Sequence, residues 1–437
     1  MVAMPQLSEA QAVDRLFDRY AFSATPAERE RARAAGFQQT LDSLLRPTGD
    51  DPGAATTPAP ALQPTPKKVK NDQDSKLAYN KVQQANRTAL IRWWLARMVA
   101  AEHQCVEKLT WFWHGHFATS FAKVRPAALM LPQNETLRRN ALGDFPTLAR
   151  EMLVDPAMID WLDGEKSTLK SPNENLAREF MELFTLGVGR YTEQDVREAA
   201  RALTGWVITE DRAAVQPKRQ DRRPKTILGR TGNFDAMGFA EVVLQNPAWR
   251  TFVPQRLWYR LVGDHPMPTD LQSRLPQSFG NGSVVAVLAA IAGGPAFRDD
   301  SYALVKSPVE WLVGLLRVLG QQPQDWSDDD LGKVQRSLRA MGQVPFTPPS
   351  VGGWPSDQLW LNTGTAVARA TLAELVAARS GFVKEAAGGT REARISLLAK
   401  TFGVNWTDRT TAALQQADKP QAMLVTAACS PEVVVSR

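Results

Sequence analysis

The stretch Ala89-Leu90-Ile91-Arg92-Trp93-Trp94-Leu95-Ala96-Arg97-Met98-Val99 decides the fold class. Apolar side chains cover nearly the whole circumference of a helical turn, with Arg92 and Arg97 the exceptions. A helix that is apolar almost all round belongs at the centre of a large protein, and this one is too interrupted to span a bilayer. Outward from it, the helical pattern runs over residues 77–119. It recurs at 134–141, 144–154, 173–186, 192–206, 236–245, 251–262, 284–291, 309–319, 328–341, 365–380, 391–402 and 410–417. Strand-like alternation is scarce, with one short strand expected at 225–228. The expected class is all-α, a large multi-helix globular protein with little or no sheet.

Ser8 is placed to cap a helix over Glu9–Tyr20, and Thr25-Pro26 to start a second one that stops near Gly36. Six prolines between Pro47 and Pro66 then prevent helix continuation. The chain therefore divides into N-terminal helices (1–46), a Pro-rich connector (47–76) and a central helical core carrying the candidate site (77–210). A basic loop (211–235) and a C-terminal helical lobe packed on the core (236–437) follow.

The chain has 437 residues, 43% hydrophobic and 22% charged, with 13 Trp and 17 Phe, which supplies a substantial core and excludes wholesale disorder. The net charge of +6 is small against 52 Lys and Arg and 46 Asp and Glu. Much of it lies in Arg212, Lys218, Arg219, Arg222, Arg223, Lys225 and Arg230. That stretch reads as a solvated basic loop, or as a contact for an anionic ligand through Arg219, Arg222, Arg223 and Lys225. It holds no aromatic residue for base stacking, and no specific nucleic-acid motif is present. Cys105 and Cys429 form no zinc or redox motif and read as buried apolar thiols. No signal peptide and no membrane span is visible, so the expectation is a cytoplasmic protein, or an exported one if a leader was removed.

Phosphate-loop, dinucleotide, HExxH, CxxC and nucleophile-elbow motifs are missing, which speaks against ordinary nucleotide-dependent and zincin chemistry. Three polar clusters remain. The first is Glu107-Lys108-Leu109-Thr110-Trp111-Phe112-Trp113-His114-Gly115-His116-Phe117. On a regular helix His114 and His116 diverge by about 200°, so they share a site only if the helix ends at Gly115 and His116 swings back. They read either as hydrogen-bonded core histidines or as ligands and acid–base groups. The second cluster is Asn173 to Phe184, where Asn175, Arg178, Glu179 and Glu182 share one helical stripe. This reads as a surface ladder pairing Glu174–Arg178 and Arg178–Glu182, or as a polar cavity lining or divalent-cation site. In the third, Thr192 and Asp195 read as a cap pair.

The order of these motifs resembles the bacterial domain of unknown function family 1800. The resemblance rests on residues 173–187 (NENLAREFMELFTLG), 191–196 (YTEQDV) and 200–206 (ARALTGW). Residues 19–26 resemble the family's Arg-Phe/Leu-Ala-Phe-Gly-x-Thr-Pro opening, departing from it at Tyr20 and Ser23. Residues 108–120, 225–235, Lys306-Ser307-Pro308 and 342–355 resemble further family segments. The resemblance covers nearly the whole chain, but it implies no reaction because the family has no established activity. Members are commonly bacterial, often exported, and some carry His where this chain has Phe184, so a site using that His as a ligand is incomplete here.

Two functions are compatible with these residues. One is an enzyme with a His/Glu pocket, in which His114, His116, Glu179 and Glu182 serve as acid–base groups in metal-assisted hydrolysis or acid–base chemistry. Asn175, Arg178 and Lys108 would bind the ligand, and a divalent metal would use His116, Glu179 and Glu182. The other is a non-catalytic binding or scaffold protein for an anionic polymer or protein partner.

Overall fold

Short polar side chains fix the helix starts as their spacing implies. Ser8 and Gln11 close a reciprocal cap on the first helix, Glu9–Tyr20, and Thr25 and Glu28 close one on the second, Pro26–Ala35. Thr192 and Asp195 do the same for Glu193–Ala202. The computed structural model describes residues 6–66, 69–209 and 212–436. The first five residues of the N-terminal segment, two of the connector, the expected border at 210 and 211 and the last residue lie outside them. Among the described residues there are 23 α-helices and three two-stranded sheets, which is the expected all-α class.

The basic stretch contains strands of two antiparallel hairpins, and residues 216–224 between them carry a single 3-10 turn, Pro217–Arg219. Trp206–Thr209 pairs with Arg212–Val215, and Lys225–Ile227 pairs with Arg230–Gly232. The connector includes the short helix Pro52–Thr56, gives way at Gln73 to the long helix Gln73–Ala100, and is pinned to it. Gln63 and Asn86 exchange two hydrogen bonds of 2.8 and 2.9 Å, and Trp93 Nε1 donates to the Thr57 carbonyl. The apolar stretch read as one helical pattern is two helices, Gln73–Ala100 and Gln104–His116. Gln104 holds the corner. Its amide donates to the carbonyls of Met98 (3.0 Å) and Ala101 (2.7 Å) and accepts from Phe22 N–H, which satisfies groups that a helix end leaves open.

Gln104–His116 lies between two apolar cores. Leu109, Phe112 and Trp113 join a cluster with Leu16, Phe145, Phe180, Trp249 and Phe297. Trp111 joins the other, with Trp94, Trp311, Phe346, Trp354 and Leu372. Gly353, at φ 83°, allows the Gly353-Trp354-Pro355 segment to lie directly on this helix, since a Cβ there would sit 2.2 Å from the Gly115 carbonyl oxygen. The helix also buries charge. Glu107 is fully enclosed and accepts from both Arg97 and Arg138, with Arg138 gripping both carboxylate oxygens. Burial alone would push this carboxyl up, but the two guanidiniums hold it below the usual range.

Glu107→Ala is expected to destabilise the protein by about 3–5 kcal/mol, because it leaves two buried cations without their shared counter-charge. Urea unfolding measures this, and a loss under about 1 kcal/mol would contradict the assignment.

Candidate functional site

The central helix runs through Gly115 to His116 without ending, so the swing that would bring the two imidazoles together does not occur. They diverge into different cores. His114 sits among Trp94, Phe346 and Trp354, with ring centroids 5.1–5.5 Å away, and no described residue hydrogen-bonds its Nε2. His116 packs against Phe112, Trp113 and Phe117. Its Nε2 donates to the Phe184 carbonyl at 2.9 Å, which places the ring proton on Nε2 because a carbonyl only accepts. The Phe184 ring stands 6.2 Å from that imidazole. Burial holds both imidazoles down at about 3; for His116 the nearby Arg256 adds to the effect. Both are neutral at physiological pH.

The acidic helix lies beyond that carbonyl. Asn175–Glu179 is α-helical, then Phe180–Thr185 widens into a π-helix, so Leu186 N–H reaches back five residues to Met181. In the last turn the Phe184 carbonyl has no helical donor, and His116 supplies one. The side chains of the stripe go elsewhere. Arg178 grips both oxygens of Glu193 (2.7 and 2.8 Å) and one of Glu174 (3.0 Å), with its own side chain 30% exposed. The expected Arg178–Glu182 pairing is replaced, because Glu182 takes a hydrogen bond from the Tyr191 hydroxyl. Partial burial, together with Glu182, raises Glu179. The polar edge of Asn175 begins this ladder, its N–H capped by Asn173. Among the described residues no group of three or more His, Cys, Asp or Glu is placed to hold a metal ion, so the donor set of His116, Glu179 and Glu182 does not form one.

Lys108 leads to a different place. Its ammonium bonds Glu310 at 2.6 Å, approaches the Asp18 carbonyl at 3.4 Å and lies over the Phe22 ring. Glu310 caps the helix Pro308–Val318 by accepting from Ser307 N–H, and Lys108 and Ser307 outweigh burial to hold it low. On the far side of this pair, Lys306 Nζ bonds Asp18 Oδ1 at 2.8 Å and Ser23 Oγ at 3.4 Å. Ser23 Oγ donates to the same Asp18 oxygen at 3.0 Å. Asp18 is held below the carboxylate range, since Lys306, Ser23 and Arg19 together outweigh its desolvation. Ser23 stands at φ 63°, a left-handed backbone that suits glycine.

Asp18, Ser23 and Lys306 floor a recess of about 60 Å³ whose apolar wall includes Trp311, Leu315, Val318 and Phe402. Asp14, Asp18, Arg29, Gly403, Val404 and Glu432 line both this recess and a cleft of about 1020 Å³ between the N-terminal helices and the helix Arg391–Phe402, so the recess forms the inner end of the cleft. Arg29 ties the walls together by donating to the Ala24 and Phe402 carbonyls at 3.0 and 3.1 Å. Gly403 leaves room for that guanidinium, since a Cβ there would fall 2.1 Å from its Cζ. None of Asp18, Ser23, Lys306 or Glu310 stands out as chemistry in the sequence. The available signals are the family-like segments 19–26, 108–120 and 306–308, which meet here.

The cations named for an anionic ligand are largely engaged within the fold. Lys225 is buried and donates to the Asp221 and Arg223 carbonyls at 2.7 and 2.9 Å. Arg223 pairs with the Asp221 carboxylate, and Arg219 donates to the Glu165 carbonyl. Arg222 contacts only the Gln220 side chain among the described residues. Burial pushes the Cys105 thiol up to about 12 and the Cys429 thiol to about 11, so neither is a thiolate near neutrality. Among the described residues no helix is long and apolar enough to cross a membrane.

The neutral imidazoles make stability pH-dependent. An unfolded histidine titrates near about 6.5, while these titrate at about 3 when folded, so between those values the unfolded chain binds more protons. Their contribution is complete above about pH 6.5 and is lost as the pH falls toward 3. His114→Leu should leave the melting temperature at neutral pH unchanged or higher and make its fall on acidification shallower, the remaining fall belonging to His116 and to the paired carboxylates. An unaltered acid limb would show that His114 is not buried in the neutral form.

A family model described as a protein of unknown function (DUF1800) matches residues 15–435. No curated protein and no solved structure matches the chain. Because the match spans nearly the whole sequence and takes in Asp18, Ser23, Lys306 and the acidic helix, the chain belongs to the DUF1800 family.

Proposed function

We propose that this chain is an enzyme working by acid–base and electrostatic chemistry on a small polar molecule, with its reaction centre at the Asp18–Lys306 pair. Under this proposal the His114, His116, Glu179 and Glu182 clusters position helices. The observation that carries it is the location of an ion pair at the inner end of a large cleft, with the Lys306 side chain 14% and the Asp18 side chain 23% exposed. A concave pocket with a few convergent polar groups is the usual form of a ligand site. The left-handed Ser23 in the same recess adds support, since backbone strain persists where the surroundings enforce it and gathers at functional sites.

The roles follow from charge. Lys306, oriented by Asp18 and Ser23, has ammonium hydrogens with which to stabilise negative charge growing on a ligand oxygen. Asp18, kept ionised, offers an acceptor for a ligand proton. The Lys108–Glu310 pair behind them fixes the turn that carries Lys306 and makes no ligand contact in this scheme.

Melting-temperature screening with small polar metabolites tests the assignment. A ligand that stabilises the native protein should lose its effect, by about tenfold or more in apparent affinity, in Lys306→Met and keep it in Glu182→Gln. Retention in Lys306→Met with loss in Glu182→Gln would move the site back to the acidic helix.

A further inference from the structure

The open bonding positions of the recess specify what enters it, provided that the recess is the ligand site. Asp18 Oδ1 already accepts from Lys306 and Ser23, whereas no described residue donates to Oδ2. Lys306 has two acceptors among the described residues, Asp18 and Ser23, which leaves a third ammonium hydrogen to bestow. The floor therefore presents an acceptor and a donor side by side, both charge-assisted. Above them the wall is apolar, with Trp311, Leu315, Val318, Phe402 and Val404. The polar wall residues are committed. Arg29 is shared among Asp14 and backbone carbonyls, and Glu432 accepts from Thr407 N–H and Thr410 Oγ1.

We infer that the recess takes the carboxamide end of a ligand, with the amide oxygen on Lys306, an amide N–H on Asp18 Oδ2 and a short aliphatic stem against the apolar wall. A carboxylate fits less well, because its second oxygen would face the ionised Asp18 and repel it. A simple ketone satisfies Lys306 alone and leaves the Asp18 oxygen without a donor. The space of about 60 Å³ holds a few non-hydrogen atoms, so the remainder of the ligand lies in the cleft of about 1020 Å³.

The unaltered full chain, titrated with propionamide, N,N-dimethylpropionamide and propionate and followed by backbone amide NMR shifts, tests this. Propionamide should shift the resonances of Asp18, Ser23 and Lys306 saturably. The dimethyl amide, which has no N–H, and propionate should each bind at least about tenfold more weakly. Lys306→Met should abolish the propionamide shifts; if that variant does not fold, the map of shifted resonances on the native protein locates the site instead. Stronger binding of propionate than of propionamide would overturn the carboxamide assignment while leaving the recess as the ligand site. Saturable shifts confined to other regions, or none with any of the three, would overturn the assignment together with the proposed function.

Discussion

Two adjacent charges buried in one helix constrain the rest of the structure. Glu107 and Lys108 sit side by side in Gln104–His116, and neither side chain reaches bulk water. Each therefore requires a counter-charge delivered from elsewhere in the chain. Glu107 draws in Arg97 from the preceding helix and Arg138 from Met130–Arg139. Lys108 draws in Glu310 and, through the Asp18 carbonyl, the first helix. Adjacent helical residues point about 100° apart, so the two sets of partners hold the helix from different directions between its two apolar cores. The same anchoring brings Lys306, four residues before Glu310, against Asp18 and Ser23. The recess is thus a by-product of how the central helix is neutralised.

This arrangement separates two kinds of buried polarity. The imidazoles of His114 and His116 are accommodated as neutral rings among aromatics, and one of them caps the carbonyl of a widened helical turn. Glu107, Lys108, Glu310, Asp18 and Lys306 are accommodated as ion pairs. The first kind is inert toward a proton donor or acceptor near neutrality, because desolvation has moved its titration far from that range. The second kind keeps its charge and, where a cavity touches it, keeps bonding positions that the fold does not use. Asp18 and Lys306 belong to the second kind, and this difference in chemistry places the proposed reaction centre with them.

The all-α class was legible from the apolar circumference of residues 89–99, and the divergence of His114 from His116 follows from the angle between alternate helical residues. The break between Gln73–Ala100 and Gln104–His116 was not legible. Ala101, Glu102 and His103 carry no breaker, and the corner depends on Gln104 reaching carbonyls on both sides and Phe22 far back in the chain. Nor does periodicity reveal the π-turn at Phe180–Thr185 that hands Glu182 to Tyr191 in place of Arg178. The recess was hidden for a simpler reason: Ser23 and Lys306 are 283 positions apart, and Glu310 looks like an ordinary cap partner of Ser307. Ser23 was legible only as a departure from the opening that residues 19–26 resemble, and its meaning depends on a φ of 63°.

Lys108 and Glu310 are mutual counter-charges that hold the Lys306 turn against the central helix. A double-mutant cycle with Lys108→Met and Glu310→Met, read by equilibrium unfolding, addresses this directly. Each single variant strands a buried charge and should lose about 3–5 kcal/mol, while the double variant should recover most of that loss. A double variant as unstable as the sum of the singles would show that the two side chains do not depend on each other, and the neutralisation of the central helix would then need a different explanation.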